Sequence, residues 1–478
     1  MTNTNEVKLP RRSQLRKWPG KCFLIVMLLA TRVISTAQTF TTLVNFDGSN
    51  GIATNSLVAS SLVQATNGSL YGTTSGGGMY NFGTIFKITP AGTLTTIYNF
   101  NLADGAGPVA GLVQATNGYL YGTTQYGGTY GLGTIFKITP AGDLTTLHSF
   151  DSTDGVYPNG LVQAANGSLY GTAQAGGANG ATSGYGTIFK ITPAGLFTPL
   201  HNFNGTDGQG PTAGLVQATN GALYGTTIAG GTYGNGTVFK ITPAGVLTTL
   251  YSFCAQSNCA DGLEPFAGLV QATNGYLYGT TTIGGINGTD GHGTIFRITP
   301  AGALTTLHRF RSSDGAESTA GLVQGSDGSL YGTTQLGGSN NYGTIFKITT
   351  NGTFTSLHSF DATGTYPQAG LVQDTNGSFY GVTSGGGTGD GTLFELSIGL
   401  GPFVKTLPTW GEVGSAVKIL GTNLTGATSV TFNGTPAVFT VVSAAEITTT
   451  VPAGATSGNV QVVTPNATLT SNVAFQVP

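Results

Sequence analysis

Residues 111–150, GLVQATNGYLYGTTQYGGTYGLGTIFKITPAGDLTTLHSF, alternate short apolar runs with glycine-rich breaks. The runs at 112–116, 119–124, 134–139 and 144–150 read as four antiparallel strands. Asn117-Gly118 is expected to place both residues at the positive-φ positions of a tight hairpin turn. Pro140-Ala141-Gly142 closes the next turn, with proline fixing φ and glycine taking the awkward corner. Runs such as Thr84-Ile85-Phe86-Lys87-Ile88 are apolar at most positions on both faces. That pattern predicts sheets covered by a neighbour on each side.

The unit repeats. Its Tyr-Gly pair falls at Tyr71, Tyr121, Tyr170, Tyr224, Tyr278, Tyr331 and Tyr380, 49 to 54 residues apart. A period near 50 with four strands per unit fixes the class before any local detail. The chain after residue 37 opens on a fourth-type strand, 40–46, with no unit before it. The repeats stop after a third-type strand, 392–397, with no fourth after it. An open solenoid has no need of that permutation. A closed ring does, because the shared unit removes free strand edges. The expected fold is all-β: a seven-bladed β-propeller over 38–400, closed by an N-terminal strand. An outer-membrane barrel would need strands of about 9–11 residues with clear alternation, which are not seen here.

The LVQATNG-x-LYGTT segment, the Gly-Gly pairs and GTIFKITPAG carry a family likeness. The units resemble the GloVer tandem repeats of exported bacterial proteins, over about three quarters of the chain. That resemblance implies an architecture and no particular reaction. Residues 401–478 leave the repeat. Val417-Lys418-Ile419, Gly421-Thr422-Asn423-Leu424, Val430-Thr431-Phe432-Asn433-Gly434 and Val460-Gln461-Val462-Val463 predict a small β-sandwich. These landmarks resemble an IPT/TIG domain, an immunoglobulin-like module, although Thr409-Trp410-Gly411-Glu412-Val413-Gly414 departs from the usual opening turn. Some such domains bind DNA. Here Lys405 and Lys418 are the only basic residues of the segment, so an adhesion or spacer role is expected.

Charged residues make up 8% of the chain and glycine 78 of 478 residues. With 39% hydrophobic residues, this suits a turn-dense β protein rather than a disordered tail. The N-terminus reads as a signal peptide, 1–37: Lys8, Arg11, Arg12, Arg16, Lys17 and Lys21, a short apolar core at 22–30, then Ser35-Thr36-Ala37. An uncleaved anchor is the alternative, disfavoured by the short run and by Arg32. Arg11-Arg12 invites a twin-arginine reading, which Gln14 weakens. Without residues 1–37 the chain has ten basic and eighteen acidic residues, a net of −8. Nothing in it suggests a nucleic-acid partner. The expectation is a secreted, extracellular or cell-surface protein with no membrane span after cleavage and a monomeric propeller. Cys254 and Cys259 are expected to form a local disulfide in an oxidising compartment.

No hydrolase elbow, P-loop or paired metal-binding histidines occur, so no catalytic residue, cofactor or metal is assigned. His148, His201, His308 and His358 share one repeat position, where Tyr98 and Tyr251 also occur, and are expected to be structural. The Asp-Gly pairs at Asp104, Asp154, Asp207, Asp261 and Asp314 read as turns; a Ca²⁺-binding ring of carboxylates is the sharper alternative. Residues that break the symmetry gather between Cys254 and Glu317, among them Glu264, Asp290, His292, Arg309 and Arg311. The second-to-third and fourth-to-first connectors vary and share one face, where binding usually resides. They carry Tyr80, Tyr126, Tyr130, Tyr157, Tyr233, Tyr342 and Tyr366 amid Asn, Thr and Gly. With Glu264, His292 and Glu317 these tyrosines are the candidate ligand-binding residues, suited to a glycan or a protein. The alternatives are a polysaccharide hydrolase or lyase using Glu264, Asp290, His292 and Glu317, and a purely structural surface spacer.

Overall fold

The structure is a computed structural model that describes residues 38–53, 61–89, 91–178 and 184–478. The expected signal peptide therefore lies outside the described residues. Within them every regular element is a strand, apart from two 3-10 turns at Ser257–Cys259 and Gly288–Asp290.

Each repeat folds into its own four-stranded antiparallel sheet. In the second repeat the strands are Val113–Gln114, Leu120–Thr124, Thr134–Ile138 and Leu144–Ser149. The first is shorter at both ends than its apolar run suggests, and each of the others is shorter by one residue at one end. Leu112 and Ala115 are buried but lie outside the ladder. Their hydrophobicity serves packing, not strand length.

The Tyr-Gly pair has a packing cause. Tyr121 is fully buried, and its hydroxyl accepts a hydrogen bond from Asn117 Nδ2 at 2.8 Å. A Cβ on Gly122 would stand 2.5 Å from Phe136 and 2.7 Å from Leu112. The glycine is the floor on which the Phe136 ring lies. The same contacts recur at Gly72, Gly171, Gly225, Gly279, Gly332 and Gly381.

The Asn-Gly turns differ from expectation. Gly118 is left-handed at φ 87°, but Asn117 is not among the positive-φ residues. The Ala115 amide donates to Tyr119 O and the Gly118 amide to Ala115 O. Asn117 spends its side chain on Tyr121 and on the Tyr119 amide. That capping role holds it out of the two-residue hairpin form. Asn433-Gly434 in the C-terminal segment does take that form, with both residues at positive φ and Phe432 paired to Thr435.

Among the described residues seven repeat sheets are present, and the packing between them is apolar. Tyr71, Ile85 and Phe100 of the first repeat pack on Leu112, Leu120, Phe136 and Ile138 of the second. The pattern continues from sheet to sheet. The strand Thr39–Asn45 pairs antiparallel with Thr392–Ser397 of the last repeat. That composite sheet packs Phe46, Val382 and Leu393 on Leu62, Phe86 and Ile88 of the first repeat.

A polar hand-over accompanies each contact. Gln114 Oε1 accepts the Thr66 amide of the preceding repeat at 2.8 Å, while its Nε2 donates to its own turn at Gly118 O. Gln163, Gln217, Gln271, Gln324 and Gln373 do the same for Thr116, Ala165, Thr219, Thr273 and Ser326. Gln64 accepts the Thr375 amide of the last repeat at 3.2 Å.

The C-terminal segment is a sandwich of two four-stranded sheets. Ile419 and Ile447 of one face Val430, Phe432, Val460 and Val462 of the other. It rests on the side that carries the glutamines. The Phe403 amide donates to Thr375 O at 3.0 Å, and Thr375 and Thr422 hydroxyls meet at 2.9 Å. Lys405 is driven into this contact, donating to Gln64 Oε1 at 3.1 Å and to the Gln373 carbonyl. Burial lowers its pKa to about 8, against the pull of the nearby Asp374 carboxylate. Asp374 is itself raised by burial, with Glu395 adding to the rise.

Two measurements follow from these contacts. Gln114→Leu strips the Thr66 amide and Gly118 carbonyl of their partner and is expected to lower the unfolding free energy by about 2 kcal/mol in urea. Lys405 holds its proton less tightly folded than unfolded, so the unfolded chain binds more protons between pH 8 and the ordinary lysine range near 10.5. Its contribution to stability therefore rises with pH across that window, by up to about 3 kcal/mol. Urea titrations of wild type and Lys405→Met at pH 7 to 10 are expected to show that rise only in the wild type.

Candidate functional site

The variable connectors of successive repeats are bound to each other. The Ala106 amide donates to Tyr126 O at 2.8 Å and the Tyr126 amide returns to Ala106 O at 3.0 Å. The same exchange joins Gln209 with Ala229, Leu263 with Ile283, and Ala316 with Leu336. The connectors are therefore held by backbone, and their side chains are left to vary.

One position in this layer is unusual. Gly107, Tyr157, Gly210, Glu264, Glu317 and Tyr366 are equivalent, and all have φ between 55° and 66°. Each amide donates across to the preceding repeat: Tyr157 to Leu132 O, Glu264 to Asn235 O, Glu317 to His292 O and Tyr366 to Tyr342 O. The Glu264, Glu317 and Tyr366 carbonyls accept the Thr282, Gln335 and Ser384 amides. Bonding at the backbone thus imposes the left-handed conformation. Glycine adopts it freely, while an L-residue there costs roughly 1–2 kcal/mol. A following proline, as at Tyr157, Glu264 and Tyr366, disfavours helical geometry further. Two glycines show that the fold needs no side chain here. Four repeats nonetheless carry a tyrosine or a glutamate.

Those side chains sit among the other candidates. The Tyr157 ring meets Tyr126 edge-on at 5.3 Å, and Tyr366 meets Tyr342 at 5.8 Å. Tyr126, Tyr80, Tyr233 and Tyr130 are 48% to 62% exposed. Glu264 and Asp290 are exposed, and Glu317 and His292 half-buried. Beside the two glutamates, Thr282 Oγ1 and Gln335 Oε1 are buried without a hydrogen-bond partner. Buried polar atoms of this kind call for water or a ligand. Among the described residues no three His, Cys, Asp or Glu side chains are grouped as a metal ion would require.

The symmetry breakers form a local patch. Cys254 and Cys259 are joined by a disulfide. Arg309 Nε donates to Ala260 O at 2.8 Å, and the Gly285 amide to Cys259 O. Asp261 is fully buried and accepts the Tyr251 hydroxyl and the amides of Ala255 and Gln256.

The recurrent histidines and Asp-Gly turns, distinct in sequence, are one device. His148 Nε2 lies 2.8 Å from Asp154 Oδ2, and His201 2.9 Å from Asp207. Tyr98 donates to Asp104 in the same way. The second carboxylate oxygen of Asp154 accepts the Asp151 amide and shapes the turn. His148, His308 and His358 also stack on Phe197, Phe354 and Phe40 of the next sheet at 3.9 to 4.0 Å. These groups brace the sheets, and each is occupied by a structural partner. In three repeats the recurrent cation meets a group of its own sheet: Lys137 lies over Tyr119, Arg297 over Tyr276, and Lys347 pairs with Asp327 at 2.8 Å.

The model of the Gloeobacter/Verrucomicrobia repeat matches residues 31–183 and 178–394. The chain belongs to that repeat family. Residues 403–477 match the IPT/TIG domain, in keeping with the sandwich described above. No curated protein sequence matches the chain. Among solved structures, a fungal alcohol oxidase of the AA5 family, in complex with copper, is similar at 13% identity and a TM-score of 0.53. The match covers 92% of this chain and 98% of that one. The extracellular domain of a B. thetaiotaomicron protein described as a hybrid two component system is similar at 14% identity and a TM-score of 0.50. This chain is covered to 89% and spans about half, 54%, of that domain. At these identities the likeness is one of fold, propeller-like and all-β. Among the described residues no helix is long and apolar enough to cross a membrane.

The left-handed position yields a stability test. Glu264→Gly and Glu317→Gly relieve the backbone and are expected to leave the unfolding free energy unchanged or raise it by up to about 1 kcal/mol each. Urea denaturation reads the outcome. A loss beyond 1 kcal/mol would mean that these side chains serve the fold.

Proposed function

We propose that this repeat-family protein is a secreted or cell-surface, non-enzymatic binding protein. Its repeats form a seven-bladed ring over 38–400, closed by the strand Thr39–Asn45, with the IPT/TIG domain over 401–478. The seven sheets, the pairing of Thr39–Asn45 with Thr392–Ser397 and the Gln64–Thr375 link support that closure. So does a cavity of about 270 Å³ whose lining includes Ser61, Gly111, Gly160, Gly214, Gly268, Gly321 and Gly370, one from each repeat. Export rests on the leader-like residues 1–37.

The ligand, a glycan or a protein, is held on the variable-connector face. One observation carries this reading. Tyr157, Glu264, Glu317 and Tyr366 occupy a left-handed backbone position that glycine fills in two other repeats. Strain kept for a side chain that the fold does not need is the mark of a side chain kept for contact with something else. The exposed Tyr80, Tyr126, Tyr130 and Tyr233 extend the same surface with aromatic faces and hydroxyls.

A glycan-array screen of the full chain, beside Tyr126→Ala/Tyr130→Ala, tests it. Selective binding that falls at least tenfold in the double variant is expected. No binding to any glycan would remove the lectin-like form and leave a protein ligand, to be sought by the same variant in a cell-adhesion assay.

A further inference from the structure

The opposite side of the repeats, where the C-terminal sandwich rests, holds two adjoining cavities. One of about 610 Å³ lies between the Gln114, Gln163 and Gln217 region of the repeats and the segment around Leu407–Gly411 of the sandwich. A second of about 480 Å³ continues it toward Gln271 and the segment 473–478. The two share Ala165, Val216, Gln217, Thr409 and Trp410. They are therefore one cleft with Trp410 as its partition, and each half falls within the range of small-molecule sites. Docking by Lys405, Phe403 and Thr422 clamps the sandwich at the last and first repeats. The cleft opens away from that clamp, over the second to fifth.

The chemistry of the lining is narrow. No Asp, Glu, Lys, Arg or His side chain borders either half. A charged ligand would lose its hydration there with no charged side chain to compensate. The glutamine amides are already engaged with backbone partners and cannot turn to a demanding hydrogen-bonding ligand without opening the sheets. What remains is a half-buried indole, the small apolar faces of Val113, Val162 and Val216, and the hydroxyl-bearing Thr116, Thr409 and Ser415. A flat ligand with one apolar face and a rim of neutral hydroxyls matches all three.

We propose that this cleft is a binding site for a neutral saccharide, whose ring stacks on Trp410 while its hydroxyls reach the threonine and serine rim and water. Tryptophan is the side chain best suited to such stacking, since it offers the largest aromatic face with a polar edge. The site is separate from the variable-connector face and does not depend on the reading given to that face.

The chain has two tryptophans, Trp18 and Trp410. In the full chain with Trp18→Phe, indole emission reports on the cleft alone. Titration with cellotriose, xylotriose and maltotriose is expected to give a saturable change in Trp410 emission with at least one of them. Val216→Phe, which narrows the cleft from the repeat side and leaves the indole in place, is expected to weaken that binding at least tenfold. So is Trp410→Ala, followed by calorimetry, with thermal melts confirming that both variants fold. Tyr126→Ala/Tyr130→Ala is expected to leave it within twofold. The absence of a saturable change with all three sugars at millimolar concentration overturns the proposal, as does binding that both cleft variants retain. Loss of this signal in the Tyr126/Tyr130 variant would also overturn it, by placing the sugar on the other face.

Discussion

The structure depends on sheets packing face to face with almost no slack. A four-stranded sheet of such short strands has no core of its own. Each acquires one only between two neighbours, which is why Tyr121, Ile135 and Phe136 are fully buried although they point to opposite faces. The closeness of that packing explains the composition. Glycine under the Phe136 ring, and its counterparts in the other repeats, are spaces that a methyl group would close. Glutamine at the end of the first strand then ties each sheet to the one before it through a backbone amide, so that apolar contact and polar register reinforce each other.

Much of this was legible in the sequence. The period, the four strands per unit and the permuted first strand follow from recurring motifs that the folded chain repeats in space. The strand ends were not legible, because Leu112 and Ala115 are apolar for packing and lie beyond the ladder. Asn117-Gly118 misled for a related reason: the side chain that usually favours a left-handed turn is drawn to the Tyr121 hydroxyl. His148, His201, His308 and Tyr98 each stand six residues before an Asp-Gly turn, and only the fold shows that they touch. The left-handed position was the least visible. Its occupants, two glycines, two tyrosines and two glutamates, share no chemistry, and what they share is a backbone angle.

The two sides of the repeats have different characters. On one, backbone bonds fix the connectors and leave tyrosines and carboxylates outward. On the other, nearly repeated turns and glutamines form the platform on which the sandwich rests. The symmetry-breaking patch around the disulfide belongs to the first side's connectors. A division of this kind lets one side change its side chains while the other keeps its register, since the amide exchanges at Ala106–Tyr126 and its equivalents do not read side-chain identity.

The pairing of Thr39–Asn45 with Thr392–Ser397 has a consequence in time. More than 340 residues separate the two strands. Synthesis delivers the first of them long before its partner exists, and contacts so distant in sequence are slow to form. Until then the early strand and the open face of the first repeat are both exposed to whatever lies nearby, including another growing copy. The strand made first is used last, and in the interval its open edge is free to pair wrongly.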